Sequence, residues 1–240
     1  MMTISRIAER LKMNGLPSDS SLTEKLQIYL ELLEDWNQRM DLTAVLEEDE
    51  MLDRHFIDSL AILKTGLLPS RGSLIDVGTG AGFPGLVLAL AYPETRVTLV
   101  DAQQKRLHFL EAVCEKTGVK NVQLIHGRAE DCGRRKEMRE QYDAAVARAV
   151  APLDVLCEYL MPFARIGGQI ICWKGPALKD ELESGRKAAH VLGGRIEMPE
   201  RYTVAGREWE HYLLPVRKTQ KTPAAYPRRA GLPKEKPLGR

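Results

Sequence analysis

The stretch from Leu74 to Gly85, LIDVGTGAGFPG, decides the fold of this 240-residue chain. Its apolar start predicts a buried strand, its glycines predict a tight turn, and Pro84 is placed to begin a helix. Glycines in such a turn let the backbone approach a bound nucleoside closely, because no side chain stands in the way. A strand, a glycine turn and a helix in this order indicate a ligand-binding α/β domain.

Downstream of Gly72, short β-branched segments alternate with segments of helical length. Strands are predicted over 73–77, 96–100, 122–126, 143–147 and 169–173, with helices over 84–92, 103–117, 133–141, 153–165 and 177–192. Two further strands, over 195–204 and 209–217, are separated only by a short turn, which makes that last pair antiparallel. The pattern predicts an α/β fold with a seven-stranded, mostly parallel, doubly wound sheet whose last strand is reversed.

The first 70 residues have a different pattern. Between Ser20 and Met40, apolar residues recur at steps of three and four, which is typical of an amphipathic helix, and a second helix is predicted over 49–64. We therefore expect an N-terminal helical cap over 1–70, a ligand-binding sheet domain over 71–217 and a basic, proline-rich tail over 218–240. Since the end of this tail lacks apolar periodicity, it is expected to be extended.

Composition restricts the class of protein. Hydrophobic residues make up 44% of the chain, and the longest apolar run, Leu86–Tyr92, is far shorter than the roughly 20 residues of a membrane helix. The N-terminus lacks the apolar segment of a signal peptide. The four cysteines form no CxxC pair, and the scattered histidines His108, His190 and His211 show no metal-ligand spacing. We expect a soluble cytoplasmic protein without a bound metal, in which these three histidines have no special role.

Charge is distributed unevenly along the chain. From Arg217 to the C-terminus there are eight basic side chains and one acidic one, which leaves 27 basic and 32 acidic side chains in the rest. An acidic body with a basic tail favours a negatively charged partner that binds locally at the tail. The alternative interpretation is a tail that only increases solubility.

The glycine loop fits two classes of cofactor site. Residues Gly80–Gly85 match GxGxxG, and Asp101 follows Gly80 by 21 residues, as in nicotinamide-binding domains. However, Asp76 precedes the first glycine, where a carboxylate suits a ligand with a cationic end better than a pyrophosphate. With the reversed last strand, this pattern resembles class I S-adenosylmethionine-dependent methyltransferases. In that fold, Asp101 would accept hydrogen bonds from the ribose hydroxyls at the carboxyl ends of the strands.

Several further segments resemble one family. They are Trp36-Asn37, Met40–Thr43, Arg54–Leu60 (RHFIDSL), Asp101–Arg106, Phe109-Leu110, Arg128–Glu130 (RAE), Ala147–Ala149 (ARA), Lys174-Gly175 and, in the tail, Thr222-Pro223, Tyr226–Arg229 and Gly231–Pro233. Together with the glycine loop they are similar to the glucose-inhibited division protein B family, the bacterial 16S ribosomal RNA guanine-N7 methyltransferases. The resemblance runs from about residue 26 to residue 238. One departure is Asp41, where the family usually has Asn.

The resemblance implies S-adenosylmethionine as the cofactor and names residues for its site. The cofactor-binding residues would be Asp76, Gly78, Gly80, Phe83, Asp101, Ala129, Glu130 and Arg148, with Ala129 and Glu130 at the adenine end. The residues expected to contact RNA are Asn37, His55, Lys174, Tyr226, Arg228 and Arg229, with the basic tail neutralising phosphates and Tyr226 stacking on a base. The partner would be 16S ribosomal RNA in the small ribosomal subunit, with no membrane involved, and we expect a monomer.

The chemistry of the implied reaction is consistent with the absence of two catalytic motifs from the sequence. Guanine N7 has an in-plane lone pair and no proton, so its methylation needs no general base. No tetrad of the NPPY or DPPY type follows the fourth strand, and no cysteine stands in a Pro-Cys context. We expect positioning residues instead, namely Arg148 and Lys174, donating to guanine O6 or to a phosphate.

Three other functions remain open at this point. A nicotinamide-dependent oxidoreductase would need a Tyr-x-x-x-Lys or His–Asp pair in the second half, and we find neither. A non-catalytic RNA-binding or ribosome-assembly protein is disfavoured by the intact loop with Asp76, Asp101 and Arg148. Methylation of a small molecule is disfavoured by the basic tail.

Overall fold

The computed structural model describes residues 3–68, 70–148 and 151–239. Ala149, the last residue of the ARA motif, lies outside this part. The strands are β1 (Gly72–Val77), β2 (Thr95–Asp101), β3 (Val122–His126), β4 (Tyr142–Arg148), β5 (Ala164–Lys174), β6 (Gly194–Ile196), β7 (Glu200–Tyr202) and β8 (His211–Lys218). They form one sheet in the order β3-β2-β1-β4-β5-β8-β6, with β7 also paired to β8.

The strand directions match the prediction. Strands β1 to β5 run parallel to their neighbours, whereas β8 is antiparallel to β5. The count is eight rather than seven because the strand predicted over 195–204 is broken. Pro199 lies between β6 and β7 and has no N–H for a ladder, so two short strands pair separately with β8.

Helices cover both faces of the sheet. They are α5 (Gly85–Ala91), α6 (Gln104–Thr117), α7 (Ala129–Cys132), α8 (Leu153–Leu160) and α9 (Leu178–Val191). Alternate residues of β1 point into two separate cores: Leu74 packs with the N-terminal helices, α5 and α6, whereas Ile75 and Val77 pack with α8 and α9. A sheet that is buried on both faces explains the continuous apolar runs in its strands.

Two predicted helices differ from the structure. The helix expected over 133–141 is wrong: α7 is a single turn that ends at Cys132, and the chain then turns until Glu140, which has a φ of 55°. The segment offers only one buried apolar residue, Met138, so it has no face to pack. The helix over 153–165 ends early at Leu160, because Pro162 cannot continue it.

The N-terminal cap is helical, as expected, and packs into the same core as α5 and α6. Its first helix, α1 (Ile4–Met13), was not predicted, and α2 (Ser20–Asn37) follows. The segment predicted as one helix over 49–64 changes type along its length. It begins as α3 (Glu48–Met51), continues as a π-helix (Leu52–Ile57) and α4 (Asp58–Leu60), and ends as a 3₁₀-helix (Ala61–Lys64). None of the described helices is long and apolar enough to cross a membrane.

The tail is packed rather than extended. Arg228 forms a bidentate ion pair with Glu158 of α8, whose side chain is only 1% exposed. Arg139 donates to the carbonyl oxygens of Thr222 and Tyr226. The tail ends in a short helix, α10 (Leu232–Glu235). Internal partners for its backbone and for Arg228 therefore hold the tail against the rest of the fold in place of the expected extended conformation.

Candidate active site

A cleft of about 860 Å³ lies at the carboxyl ends of the parallel strands. This is the edge at which doubly wound sheets bind ligands. Nine of the residues singled out from the sequence line it: Gly78, Gly80, Phe83, Asp101, Ala129, Glu130, Arg148, His55 and Lys174. They come from segments that are far apart in the chain, so the fold itself assembles them.

The glycine loop forms one wall of the cleft. Gly80 has a φ of 60°, and a Cβ there would face open space 4.0 Å from Arg106 Nη1. At Gly82, with a φ of 93°, a Cβ would collide with the hydroxyl of Tyr29, which donates to the carbonyl of Ala81. The loop is therefore packed tightly from behind, while its front remains open to a ligand.

Asp76 lies beneath this loop and not in the cleft. Its Oδ2 accepts hydrogen bonds from Thr79 Oγ1 at 2.7 Å and from the N–H of Gly85 at 2.8 Å. The side chain is fully buried, and among the described residues its Oδ1 has no hydrogen-bond partner. Burial raises the pKa of Asp76 to about 6. The carboxylate predicted to meet a ligand directly thus holds the loop in shape.

Asp101 presents a fixed carboxylate at the end of β2. Its Oδ2 accepts from the N–H of Gly80 at 2.9 Å, and its Oδ1 accepts from the N–H of Gln103 at 2.8 Å. Arg106 Nη1 lies 3.5 Å from Oδ2. Each carboxylate oxygen has two lone-pair positions, so the group can still accept from a diol in the cleft.

The tail closes the other end of the cleft. Glu130 accepts through Oε1 from the N–H of Gly231 at 2.9 Å, and Gly231 and Lys234 both line the cleft. Glu130 is therefore shared between the cleft and the tail. Glu130 lies on the cleft, as the family resemblance implied, whereas its contact with Gly231 was not predicted.

The π-helix explains how Arg148 is held. The N–H of Asp58 bonds to the carbonyl of Asp53, five residues back, so the carbonyl of Arg54 is released from the usual helical bond. Arg148 Nη1 donates to this carbonyl at 2.9 Å and to Asp58 Oδ2 at 2.7 Å. The cap thereby orients the guanidinium at the end of β4.

Asp58 is a hydrogen-bonding hub between the cap and the sheet. Besides Arg148, its carboxylate accepts from Tyr202 Oη at 2.6 Å and pairs with His211 Nδ1 at 2.7 Å, while its carbonyl accepts from Trp173 Nε1. Burial opposes its ionisation, yet these hydrogen bonds and the charge of Arg148 lower the pKa of Asp58 overall. The expectation that His211 has no special role is wrong, because it lines the cleft within this hub.

An aromatic group connects the hub to the glycine loop. His55 stacks on Phe83 with ring centroids 4.7 Å apart, and Arg148 lies 5.3 Å from the centroid of the same ring. Burial, followed by the charge of Arg148, lowers the pKa of His55 to about 4. His55 is therefore neutral near pH 7. Its Nε2 lies 2.7 Å from Thr43 Oγ1.

Three predicted RNA-contacting residues have internal partners. Asn37 accepts from the N–H groups of Leu42 and Thr43 and donates to the carbonyl of Thr43, so it shapes the loop after α2. Lys174 lines the cleft but pairs with Glu181 at 2.5 Å. Arg228 is held by Glu158, as described above.

Besides His55, which lines the cleft, two more residues predicted to contact RNA lie in the tail, outside the lining of the cleft. Tyr226 is half-buried against the core on the α8 side, and Arg229 is exposed. Arg54, Tyr202 and His211 line the cleft without having been predicted. The register pairs Tyr202 with His211 across β7 and β8. Both residues lie in the predicted strands 195–204 and 209–217, so the predicted hairpin was the signal that could have placed them side by side.

Comparisons with known proteins agree with this geometry. A family model described as "GidB: rRNA small subunit methyltransferase G" matches residues 22–205. The chain is 44% identical over 224 residues to ribosomal RNA small subunit methyltransferase G of Alkaliphilus metalliredigens, covering 93% of this chain and 94% of that protein. It is 41% identical to the protein of the same name from a Thermoanaerobacter species, covering 98% of each. A solved 16S rRNA (adenine(1408)-N(1))-methyltransferase mutant from Catenulisporales acidiphilia shares the fold, with a TM-score of 0.52 and 16% identity over 63% of this chain and 87% of that one.

The strand order, the reversed β8 and the cleft at the ends of β1, β2 and β4 define a class I S-adenosylmethionine-dependent methyltransferase. The residues present fit that cofactor, because a fixed carboxylate and an open glycine loop face the same cleft. The chain belongs to the family of the rRNA small subunit methyltransferase G, also called GidB.

Proposed function

We propose that this protein transfers the methyl group of S-adenosylmethionine to N7 of one guanine in 16S ribosomal RNA. The observation that carries the proposal is the match of the family model over residues 22–205, which contain Asp101, Phe83 and Arg148 on one cleft. The name of the relatives supports the small ribosomal subunit as the source of this RNA.

The cofactor supplies an electrophilic methyl group on a sulfonium, and the residues of the chain hold the two reactants in place. Asp101 is suited to accept from the ribose hydroxyls, and Ala129 and Glu130 to border the adenine. Asp76 supports the loop that carries Gly78 and Gly80. The positions of Asp101, Ala129 and Glu130 on the cleft support these roles, and the hydrogen bonds of Asp76 to Thr79 and Gly85 support the role of Asp76.

No proton has to be removed from guanine N7 before it attacks, so positioning and electrostatics account for the catalysis. Arg148 is held by Asp58 and the carbonyl of Arg54, with its guanidinium beside Phe83. We assign it to orient the guanine or the adjoining cofactor atoms, with Lys174 at the other side of the cleft. His55 remains neutral near pH 7, since its pKa is about 4.

We also infer that the protein acts as a monomer in the cytoplasm. The proposed substrate, a small ribosomal subunit, is itself cytoplasmic.

The proposal is tested with ribosomal subunits from a strain in which the gene for this protein is deleted. Purified protein and methyl-labelled S-adenosylmethionine should label small subunits and leave large subunits unlabelled. Asp101→Asn should weaken cofactor binding in calorimetry by about tenfold, as expected for the loss of a charged hydrogen-bond acceptor. Asp131→Asn, an exposed carboxylate on α7, is the matched control and should bind normally. Label in large subunits, or no label at all, would refute the proposal.

A further inference from the structure

Trp209 lies in the loop between β7 and β8, next to the cleft but outside its lining. Its ring stacks on His211, with centroids 5.6 Å apart and an angle of 25° between the planes. His211 lines the cleft and pairs with Asp58. The indole therefore extends the aromatic surface outward from the hub that orients Arg148.

Two arginines lie against the same indole. The guanidinium carbon of Arg54 is 4.4 Å from the Trp209 ring centroid, and that of Arg207 is 5.4 Å away. Trp209 is half-buried and the side chain of Arg54 is 42% exposed. An aromatic ring flanked by guanidinium groups has the chemistry that binds single-stranded RNA, because bases stack on the ring and phosphates pair with the arginines.

The loop that carries Trp209 is fastened on its cap side. Asp53, which is fully buried, pairs with Arg10 Nε at 2.6 Å and with Arg207 Nε at 2.7 Å. Arg10 also donates to the carbonyl of Ala205 at 2.6 Å, and the N–H of Ala205 donates to Asn14. Helix α1 thus fixes the loop, so the ring is presented in one place before any ligand binds, which lowers the entropy cost of stacking.

We propose that Trp209, together with Arg54 and Arg207, stacks a nucleotide that flanks the target guanine. This inference rests on the proposed function, because it assumes that RNA enters the neighbouring cleft. The base takes the place of Arg54 over the indole. The displaced guanidinium leaves Glu50, with which it now pairs, and binds the adjoining phosphate. The platform then contributes to RNA affinity and leaves methyl transfer and cofactor binding to the cleft.

The test compares Trp209→Leu with Trp209→Phe. Leucine preserves apolar packing but removes the aromatic ring, whereas phenylalanine keeps a ring for stacking. The Leu variant should raise KM for small ribosomal subunits about tenfold, in line with the loss of one stacked base. Its kcat and its dissociation constant for S-adenosylmethionine should stay at wild-type values. The Phe variant should keep KM within about twofold of wild type, since one aromatic ring replaces another.

A second measurement uses tryptophan fluorescence and a short single-stranded RNA oligonucleotide. The oligonucleotide should quench wild-type fluorescence, and the quench should be clearly smaller in Trp209→Phe, in which Trp173 still lines the cleft. The quench should persist in Trp36→Phe, a matched variant whose half-buried indole packs on Phe109 of α6, where the cap meets the sheet domain.

Three results would overturn the inference. They are an unchanged KM in the Leu variant, an equal rise of KM in the Leu and Phe variants, and a quench in Trp209→Phe that is as large as in wild type. Failure of the proposed function looks different, because the wild-type protein itself would then fail to label small subunits.

Discussion

Arg148 Nη1 lies 2.7 Å from Asp58 Oδ2, and this ion pair joins the end of β4 to the N-terminal cap. Both side chains are largely buried, at 14% and 4% exposure. Because the π-helix also turns the carbonyl of Arg54 toward the same guanidinium, the cap fixes the position of Arg148 on the cleft. The cap therefore contributes to the cleft as well as to the core.

Asp58→Asn should lower both activity and stability. Loss of the charge loosens Arg148, and misplacement of a positioning group by about 1 Å costs about 100-fold in rate. The free energy of unfolding should fall by about 3 kcal/mol, since the change leaves a largely buried arginine without its counter-ion. Steady-state kinetics and urea unfolding measure the two effects.

The matched control is Asp35→Asn, which removes an exposed ion pair with Arg39 on α2. It should change the free energy of unfolding by less than about 0.5 kcal/mol and leave kcat/KM alone. Equal effects of the two substitutions would show that the buried pair has no special role.

Gly85→Ala should destabilise the protein. A Cβ at this position would lie 2.5 Å from Leu99 Cδ2 and 2.6 Å from Asp76 Cβ, so the packing beneath the loop has to shift. We expect a loss of about 1–3 kcal/mol in urea unfolding. Gly175→Ala, also on the cleft but with nothing within 4 Å of its Cβ, should unfold at the wild-type midpoint. Equal urea midpoints for the two variants would show that the packing beneath the loop does not require glycine at position 85.

Arg228→Ala should detach the tail. The substitution leaves Glu158 buried without its cation, which costs about 3 kcal/mol in unfolding free energy. Cofactor affinity should fall as well, because Gly231, three residues further on, is bonded to Glu130. Thermal unfolding and calorimetry give the two values.

Arg229→Ala removes the exposed neighbour of Arg228 and should affect RNA instead. Its unfolding temperature should stay at the wild-type value. Its KM for small subunits should rise, and the salt dependence of binding should become weaker by about one phosphate contact. A drop in stability equal to that of Arg228→Ala would contradict the different roles of these two residues.

His55 should make the protein less stable in mild acid. Its pKa is about 4 in the folded chain and 6.5 ordinarily, so between these values the unfolded chain binds more protons. Stability is therefore lost as the pH falls through 6.5, and the loss is complete below 4. For a shift of this size, the loss is on the order of 3 kcal/mol.

The measurement for His55 is urea unfolding at pH 7.5 and at pH 5. Wild type should lose more stability than His55→Gln, because a glutamine side chain at position 55 does not titrate. Parallel losses in the two proteins would show that His55 is not held neutral by the fold.

Much of the sheet could be predicted because its signals are local. The run from Leu74 to Gly85 contains a strand, a turn and a helix start within 12 residues, and the alternation of strands and helices along the chain predicted a parallel sheet. The break at Pro199 was readable in principle, since proline interrupts a strand ladder. Of the cleft residues at strand ends, Asp101 followed from its spacing to the glycine loop, whereas Ala129, Glu130 and Arg148 were implied by the family resemblance.

The hub could not be predicted, because its contacts are distant in sequence. Asp58 lies 90 residues from Arg148, 144 from Tyr202 and 153 from His211. Periodicity describes which face of an element is buried, but it does not pair polar groups across the fold. The same reason explains Arg228, which looked free for RNA until the fold placed Glu158 beside it.

The central claim is methylation of guanine N7, and identification of the labelled nucleoside tests it most directly. Small subunits from the deletion strain are incubated with the protein and methyl-labelled S-adenosylmethionine, and the 16S RNA is digested to nucleosides and separated by chromatography with mass detection. We predict that the label is found in 7-methylguanosine. Label in any other nucleoside would contradict the account.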